Sequence, residues 1–582
     1  MNRMIALLSI LVCVLGLVTG CSNATTSAGD GAPFITVKEV RGYQEAASVT
    51  FEGNSDSYEI YIKGESSSEY TKVDGELLIR DDYSFRAVVP GLKPGNYTFR
   101  IVNGDSSFDT EQVEVTAYDR SGYAHFKNEE GVGAYNDDGT LKENAEVVYV
   151  NNGNKNTVAL DIGGETFTGL AGILKNADKC TVPLDIRIIG KIDTVAWNKV
   201  GYKNMPNTPE LLREQKEHMQ NLTDENIPES VILEKGINSY DDDLAKGIAK
   251  LEGLDASVTY DDKKGEYDCC WNELNLHGLS DVTIEGIGKD AAIEKWGFSF
   301  SDSRSIEVRN LSFSDYNDDA INVTGTDMSN PASHHFFFHH LHFQAGSNPW
   351  DLSLEQDKPD GDGSIDFAKS RNMTIAYCHF DHTRKTGLIG GGNDVRQYNV
   401  TLHHNIYDGC LERMPLLRQA NCHIYNNLYK NVGHYCMSVR ACAFAFVEKC
   451  CFSDLKNPMM LAYKTSNGVD PTGTAVKAID NVFQDITLED DESFGMALGK
   501  NGIYVLTGID DGKAYSSDLE ATRLTRAEGS ICTPADGLNL SNFDTNPEAF
   551  YFDESKGVSD VERMDDPKTL PEILPGLVGP VG

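Results

Sequence analysis

Positive charge is the scarcest resource of this chain: 51 Lys and Arg stand against 89 Asp and Glu over 582 residues, a formal net charge of -38. Such a surface repels polyanions, which argues against nucleic acid as a partner. An anionic polymer can be bound only where bridging cations or a local Arg/Lys cluster reverse the potential. The thirteen cysteines contain no CxxC spacing, which excludes the usual cysteine-built metal sites. Cys269-Cys270 and Cys450-Cys451 are adjacent pairs, which rarely bridge to each other, and several of the remaining cysteines read as small core fillers. Long apolar runs are also missing, with one exception at the start of the chain, so no later segment is apolar enough to cross a bilayer.

That exception is the run from Ile5 to Val18, preceded by Asn2-Arg3 and followed by Val18-Thr19-Gly20-Cys21. It reads as a lipoprotein signal over residues 1–20, with cleavage leaving Cys21 lipidated. Residues 21–32, rich in Ser, Thr, Ala, Asn and Gly, would be a flexible tether. The expected product is an exported bacterial chain, read as a monomer, held at the cell surface or periplasmic face only through the lipid at Cys21. Residues 33–117 alternate apolar and polar at short intervals, as in Ser48-Val49-Thr50-Phe51 and Tyr58-Glu59-Ile60-Tyr61-Ile62, which predicts a small β-sandwich. Val89-Pro90-Gly91-Leu92-Lys93-Pro94-Gly95-Asn96-Tyr97-Thr98-Phe99-Arg100 resembles the strand-turn-strand of fibronectin type III domains. Residues 118–582 form the main body, with a helical insertion at about 197–273 and a C-terminal extension from about 480. The helices of the insertion are expected near Pro209 to Gln220 and Asp242 to Leu251.

From about Val282 the chain repeats itself. Aromatic residues recur at Phe313, Phe343, Phe380, Tyr407, Tyr429 and Phe452. Seven and five positions before each lies an apolar pair: Ile306/Val308, Phe336/Phe338, Met373/Ile375, Val400/Leu402, Cys422/Ile424 and Ala445/Val447. Two positions before each lie Leu311, Leu341, Cys378, Asn405, Asn427 and Cys450. A period of 22 or slightly more predicts a mainly β fold, the right-handed single-stranded parallel β-helix, preceded by the sandwich. Like residues then stack at the roughly 4.8 Å spacing of paired strands, with the rings forming an internal stack and Asn405 over Asn427 an amide ladder.

In such a solenoid, equal offsets from the anchor become neighbours in space. Asp318 and Asp319 follow Phe313 by five and six residues, Lys385 follows Phe380 by five and Arg413 follows Tyr407 by six. Asp362 and Asp366 lie in the long gap between the coils of Asp319 and Lys385. Carboxylates followed by bases along one groove suit a polymer of carboxylate sugars. Asp319, Asp362 and Asp366 can hold a hard cation such as Ca2+, while Lys385, Arg413 and Arg418 hold or deprotonate something acidic beside it.

Asp318-Asp319-Ala320-Ile321, Asp362-Gly363-Ser364-Ile365-Asp366, Asp381-His382-Thr383-Arg384-Lys385-Thr386-Gly387-Leu388-Ile389-Gly390, His403-His404-Asn405, Arg413-Met414-Pro415-Leu416-Leu417-Arg418 and His423-Ile424-Tyr425-Asn426-Asn427 all fall in one segment. From roughly Ile284 to Val432 it resembles the pectate lyases of polysaccharide lyase family 1. Gly131-Val132-Gly133-Ala134-Tyr135-Asn136 and Ile188-Ile189-Gly190-Lys191-Ile192 look like the start of the same domain. The resemblance implies Ca2+-dependent β-elimination of α-1,4-linked polygalacturonate, the pectin backbone, to 4,5-unsaturated products. It implies Arg413 as catalytic base, Lys385 and Arg418 as substrate-binding residues, and Asp319, Asp362 and Asp366, with Asp318 beside them, as calcium carboxylates. The base role comes from the resemblance, because a guanidinium is ordinarily a very poor base. Two departures stand out: the family's Trp-Ile-Asp-His reads Phe337-Phe338-His339-His340, and Ala420 replaces a glycine.

Other readings of the same residues are weaker. An EF-hand loop starting at Asp360 would place Arg371 where a glutamate is required. His339, His340, His342, His403 and His404 read as hydrogen-bonded structural histidines pointing outward or stacking rather than a zinc cluster. A pectin lyase would lack the calcium carboxylates, a polygalacturonase would need paired acid and base carboxylates without the arginine pair, and a non-catalytic pectin-binding lipoprotein could lose Arg413 or Lys385.

Overall fold

The computed structural model describes most of residues 34–201, 260–316, 319–346, 362–390, 397–462, 475–487 and 565–582, with short strands at 496–497 and 515–517. The signal segment, Cys21, the tether, Asp318 and the expected helices of the insertion lie outside the described residues. At the borders of that insertion, strands Val195–Gly201, Tyr260–Asp261 and Glu266–Cys270 form an antiparallel sheet.

The chain divides into two compact units. In the first, which comprises residues up to Val40 together with Ser48–Ala87 and Tyr97–Val113, two four-stranded sheets have the strand orders 35–42, 46–53, 84–90, 78–81 and 71–72, 59–64, 95–103, 106–115. Alternation along each strand sends Val49, Phe51, Ile60, Ile62, Phe85, Phe99 and Ile101 into the core. Phe51 and Phe85 stack there at 5.0 Å. This is the expected small sandwich.

The second unit contains Arg41–Ala47, Val88–Asn96 and everything from Glu114 onward. Its body is a parallel β-helix with three strand columns. One runs through Leu184–Ile192, Ser280–Glu294, Arg304–Arg309, Ser333–His339, Ser370–Ala376, Gln397–His403, Ala420–Tyr425 and Phe444–Glu448. A second runs through Ser312–Ser314, His342–Gln344, His379–Asp381, Ile406–Asp408, Leu428–Lys430 and Cys451–Lys456. The third, which carries the candidate site, runs through Glu273–His277, Gly297–Ser301, Ile321–Thr324, Ile365–Phe367, Leu388–Ile389, Leu416–Arg418, Met437–Arg440 and Met459–Ala462.

The repeat anchors meet as their spacing predicts. Phe336 pairs with Met373, Met373 with Val400, Val400 with Cys422 and Cys422 with Ala445, so the apolar pairs line one interior wall. The rings of Phe313, Phe343, Phe380, Tyr407, Tyr429 and Phe452 stack with centroid separations of 5.4, 4.8, 4.7, 4.8 and 4.8 Å. That spacing equals the strand spacing, so ring stacking and backbone pairing are satisfied together.

Between the first and second columns the chain bends through two residues. The first takes the left-handed conformation: Asn310, His340, Tyr377, His404, Asn426 and Lys449 have φ between 49 and 53°. None is β-branched, which is what this region of backbone space requires. The second supplies the ladder. Asn405 Nδ2 and its backbone N–H both donate to Asn427 Oδ1 at 2.9 Å, and Asn405 Oδ1 accepts from the Cys378 N–H at 2.8 Å. Cys378, Cys410, Cys422, Cys436 and Cys450 are free, buried thiols, the core fillers the sequence suggests.

Candidate active site

Each site residue sits on, or one short bend before, a strand of the third column. Ile321 pairs with Ile365, Asn322 with Asp366, Leu388 with Leu416 and Arg418 with Arg440. Just before these strands, Gly363 is bridged to Lys385 and Lys385 to Glu412. Residues distant in sequence thus stand side by side on successive coils.

Asp319 is buried, and both its oxygens are engaged. Oδ1 accepts from the Gly363 N–H at 2.6 Å and Oδ2 from Asn322 Nδ2 at 3.2 Å. Asp366 Oδ1 accepts from the Leu388 N–H at 2.8 Å. The decisive feature between them is Gly363. A Cβ built there would meet Asp366 Oδ1 at 2.6 Å and Asp319 Oδ1 at 2.7 Å, so only glycine leaves room for the two oxygens to converge. Asp362 Oδ1 lies 3.4 Å from Lys385 Nζ, and the three carboxylates do not bring one oxygen each within 4.8 Å of one another. The carboxylate set thus splits into a converging pair, Asp319 and Asp366, and a third member engaged with the neighbouring lysine.

Lys385 is only 6% exposed, whereas Arg413 keeps a quarter of its side chain in solvent. Arg413 has left-handed backbone, φ 66°, at the bend leading into Leu416–Arg418. Its Nε makes no hydrogen bond among the described residues, and Glu412 Oε1 lies 3.6 Å away. Burial opposes the Arg413 cation, but Tyr435, Glu412, Asp366 and Asp362 outweigh it and hold its pKa above the ordinary guanidinium value. Arg418 behaves in the opposite way. Burial, together with the positive charges of Arg440 and Arg413, pushes its pKa down to about 10.

Three neighbours escaped the sequence reading. Arg440 is buried, stands one coil beyond Arg418 and donates from Nε to Ser438 Oγ at 2.8 Å. The signal was present, since Arg440 follows Arg418 by the repeat length of 22. Glu412 sits between Lys385 and Arg413, with its Oε2 3.4 Å from His434 Nδ1. Burial works against the Glu412 charge, but His434, Arg413 and Lys385 hold its pKa below the usual value. Neither Glu412 nor His434 carried a pattern in sequence that marked it.

A sequence model described as pectate lyase matches residues 253–502, the stretch that carries every one of these groups. That stretch of the chain is similar to the pectate lyase family. The chain is similar to pectate lyase 3 of Pectobacterium carotovorum, 31% identical over 192 residues that make up 32% of this chain and 49% of that protein. It is also similar to a pectate trisaccharide-lyase of Thermotoga maritima, 32% identical over 169 residues, or 26% of this chain and 40% of that protein. The chain spans about half the length, or less, of these curated relatives. Among solved structures, the pectate lyase of Acidovorax avenae aligns with a TM-score of 0.40 at 15% identity, covering 80% of this chain and 94% of that one. A pectate lyase of a Bacillus species in complex with trigalacturonate aligns with a TM-score of 0.37 at 17% identity, covering 63% and 88%.

Proposed function

We propose that this protein is a calcium-dependent pectate lyase that cleaves α-1,4-linked polygalacturonate by β-elimination to 4,5-unsaturated oligogalacturonides. One observation carries the reading: the Asp319 and Asp366 oxygens converge over Gly363 on coils directly followed by those of Lys385, Arg413 and Arg418. Hard oxygen donors in a space kept clear of a side chain fit Ca2+, which Asp319 and Asp366 would hold with Asp362 alongside. When bound, the ion offsets the charge of a uronate carboxylate and makes the neighbouring C5 proton more acidic.

Lys385, Arg418 and Arg440 bind uronate carboxylates through charge-assisted hydrogen bonds and fix the sugar against the groove wall. Arg413, in its neutral form, takes the C5 proton; the electron pair left at C5 forms the C4–C5 double bond as the C4–O glycosidic bond breaks and the departing oxygen takes a proton from water. The lowered pKa of Arg418 favours a second assignment, with Arg418 as the proton acceptor and Arg413 as the binding group. The pH dependence of kcat in Arg413→Lys and Arg418→Lys separates the two, because only replacement of the acceptor moves the basic limb of the profile.

The test of the function is the ultraviolet absorbance of the unsaturated product on polygalacturonate, with and without chelator. Activity is expected to vanish in chelator, return with Ca2+ and fall by roughly 10²- to 10⁴-fold in Arg413→Ala. Undiminished product in chelator, or in Arg413→Ala, sinks the mechanism.

A further inference from the structure

Two adjacent histidines close the strand Gln397–His403 and open the bend after it. His404 takes left-handed backbone, φ 53°, and its Nδ1 faces that of His403 at 2.9 Å. Asp119 arrives at the same point from the segment that leads into the short turn Tyr123–His125, with Oδ2 3.9 Å from His403 Nδ1. Side-chain exposure is 15% for Asp119, 0% for His403 and 2% for His404. One ligand atom from each of the three lies within 4.8 Å of the others, and no other His, Cys, Asp or Glu trio does so among the described residues.

An independent feature points to a cation. The far nitrogen of His404, Nε2, faces Asp565 Oδ2 at 3.2 Å. A carboxylate on the distal nitrogen is how metal-ligating imidazoles are commonly oriented and made more basic. Asp565 is itself fixed in place, since its N–H donates to Asn426 Oδ1 and its carbonyl accepts from Asn426 Nδ2, both at 2.9 Å. Asp119 is similarly braced, accepting from the Ser121 N–H at 2.9 Å and from the Tyr377 hydroxyl at 3.2 Å. The molecule contains its own control. His339 and His340 make the same Nδ1 to Nδ1 contact at 2.9 Å, two coils away on the same flank, but complete no trio with a carboxylate.

We propose that Asp119, His403 and His404 form a binding site for one divalent transition-metal ion of the Zn2+ type. Two imidazole nitrogens and one carboxylate oxygen suit Zn2+ or Co2+, whereas Ca2+ prefers an all-oxygen shell. At metal–nitrogen distances of about 2.0–2.1 Å the two Nδ1 atoms need to part by only a few tenths of an ångström from their present separation. The ion would clip three stretches together: the strap that enters at Asp119, the coil of His403 and the tail that begins at Asp565. It lies on the first strand column, whereas Lys385 and Arg413 belong to the third, and it does not depend on the lyase reading.

The full chain, stripped with chelator and dialysed, is titrated with Co2+ and followed by visible absorption and calorimetry. One tetrahedral Co2+ per chain is expected, displaced by Zn2+ but not by excess Ca2+. Binding should be lost in Asp119→Asn and in His404→Gln, retained in His340→Gln, and accompanied by a rise in melting temperature that Asp119→Asn does not show. Absence of a stoichiometric tetrahedral spectrum in the unmutated chain overturns the proposal, whatever the variants do. Equal binding by Asp119→Asn overturns it as well, because it would mark adventitious capture by histidine alone.

Discussion

Two flanks of the same solenoid carry dense polar side chains, and they treat charge in opposite ways. On the first column Arg309 is buried against Glu285 at 2.9 Å and Glu307 at 3.3 Å, and His339 Nε2 meets Glu307 at 3.0 Å. Tyr118 packs its ring 4.5 Å from His339, and the Tyr123 and Ala124 N–H groups donate to Thr401 and Thr374. The buried guanidinium there is matched by carboxylates, and the segment from Tyr118 to Ala124 lies over the column. On the third column positive groups crowd one another instead: Arg418 pairs in register with Arg440, and Arg413 adds a third guanidinium nearby. Like charges held together at a partly open surface are relieved when an anion arrives. The first flank holds its charges in pairs, and the third holds three guanidinium groups close together, as the proposed binding of a polyanion requires.

The sharpest way to break this contrast is Gly363→Ala. Its methyl group would occupy the point where Asp319 and Asp366 converge, so lyase activity should fall by about 10² or more while the melting temperature in chelator changes little. A variant with normal calcium titration would disprove the cradle. Next in size is Arg440→Ala, expected to raise KM for polygalacturonate about tenfold with a smaller effect on kcat, and to be partly rescued by lysine. An unchanged KM would return Arg440 to a purely structural role.

The smallest effect concerns the paired flank and has a definite sign. Burial holds the pKa values of His339 and His340 well below 6.5, with Arg309 reinforcing the effect. The unfolded chain therefore takes up protons first, and stability is present above about pH 6.5 and lost as pH falls below it, by about 1.4 kcal/mol per pH unit for each histidine. Glu307 and Asp119 face these rings and oppose the loss. Denaturant midpoints between pH 7 and 5 should fall, and His340→Gln should flatten the slope; a slope unchanged by that substitution would exclude the histidine as its source.

Much of this is legible in the sequence alone. The ring anchors, the apolar pairs and the Asn405–Asn427 rung needed only a period, because stacking turns equal offsets into contacts. The groove residues followed from the same rule, and Arg440 would have followed had the offset been carried one coil further. Two things did not follow. The histidines were expected to point outward, and they do leave the solenoid, but His339, His340, His403 and His404 are buried. The segment around Tyr118 and the tail, whose Gly579 N–H donates to the Tyr377 carbonyl, pack against this side, and their docking obeys no repeat. The pairing of Asp319 with Asp366 was equally hidden, since it depends on Gly363 leaving the space between them open.

The two strands that follow the last parallel coils run the other way: Met496–Ala497 pairs antiparallel with Met459–Ala462, and Tyr515–Ser517 antiparallel with Asn481–Thr487. A solenoid whose rings and amides repeat at the strand spacing is a self-templating surface, able in principle to seat another copy end to end as a fibril does. Reversing polarity on two of the three columns presents an incoming parallel coil with hydrogen-bonding groups out of phase. A groove can therefore be built from a self-templating architecture while the C-terminal side of the described coils is kept from acting as a seed.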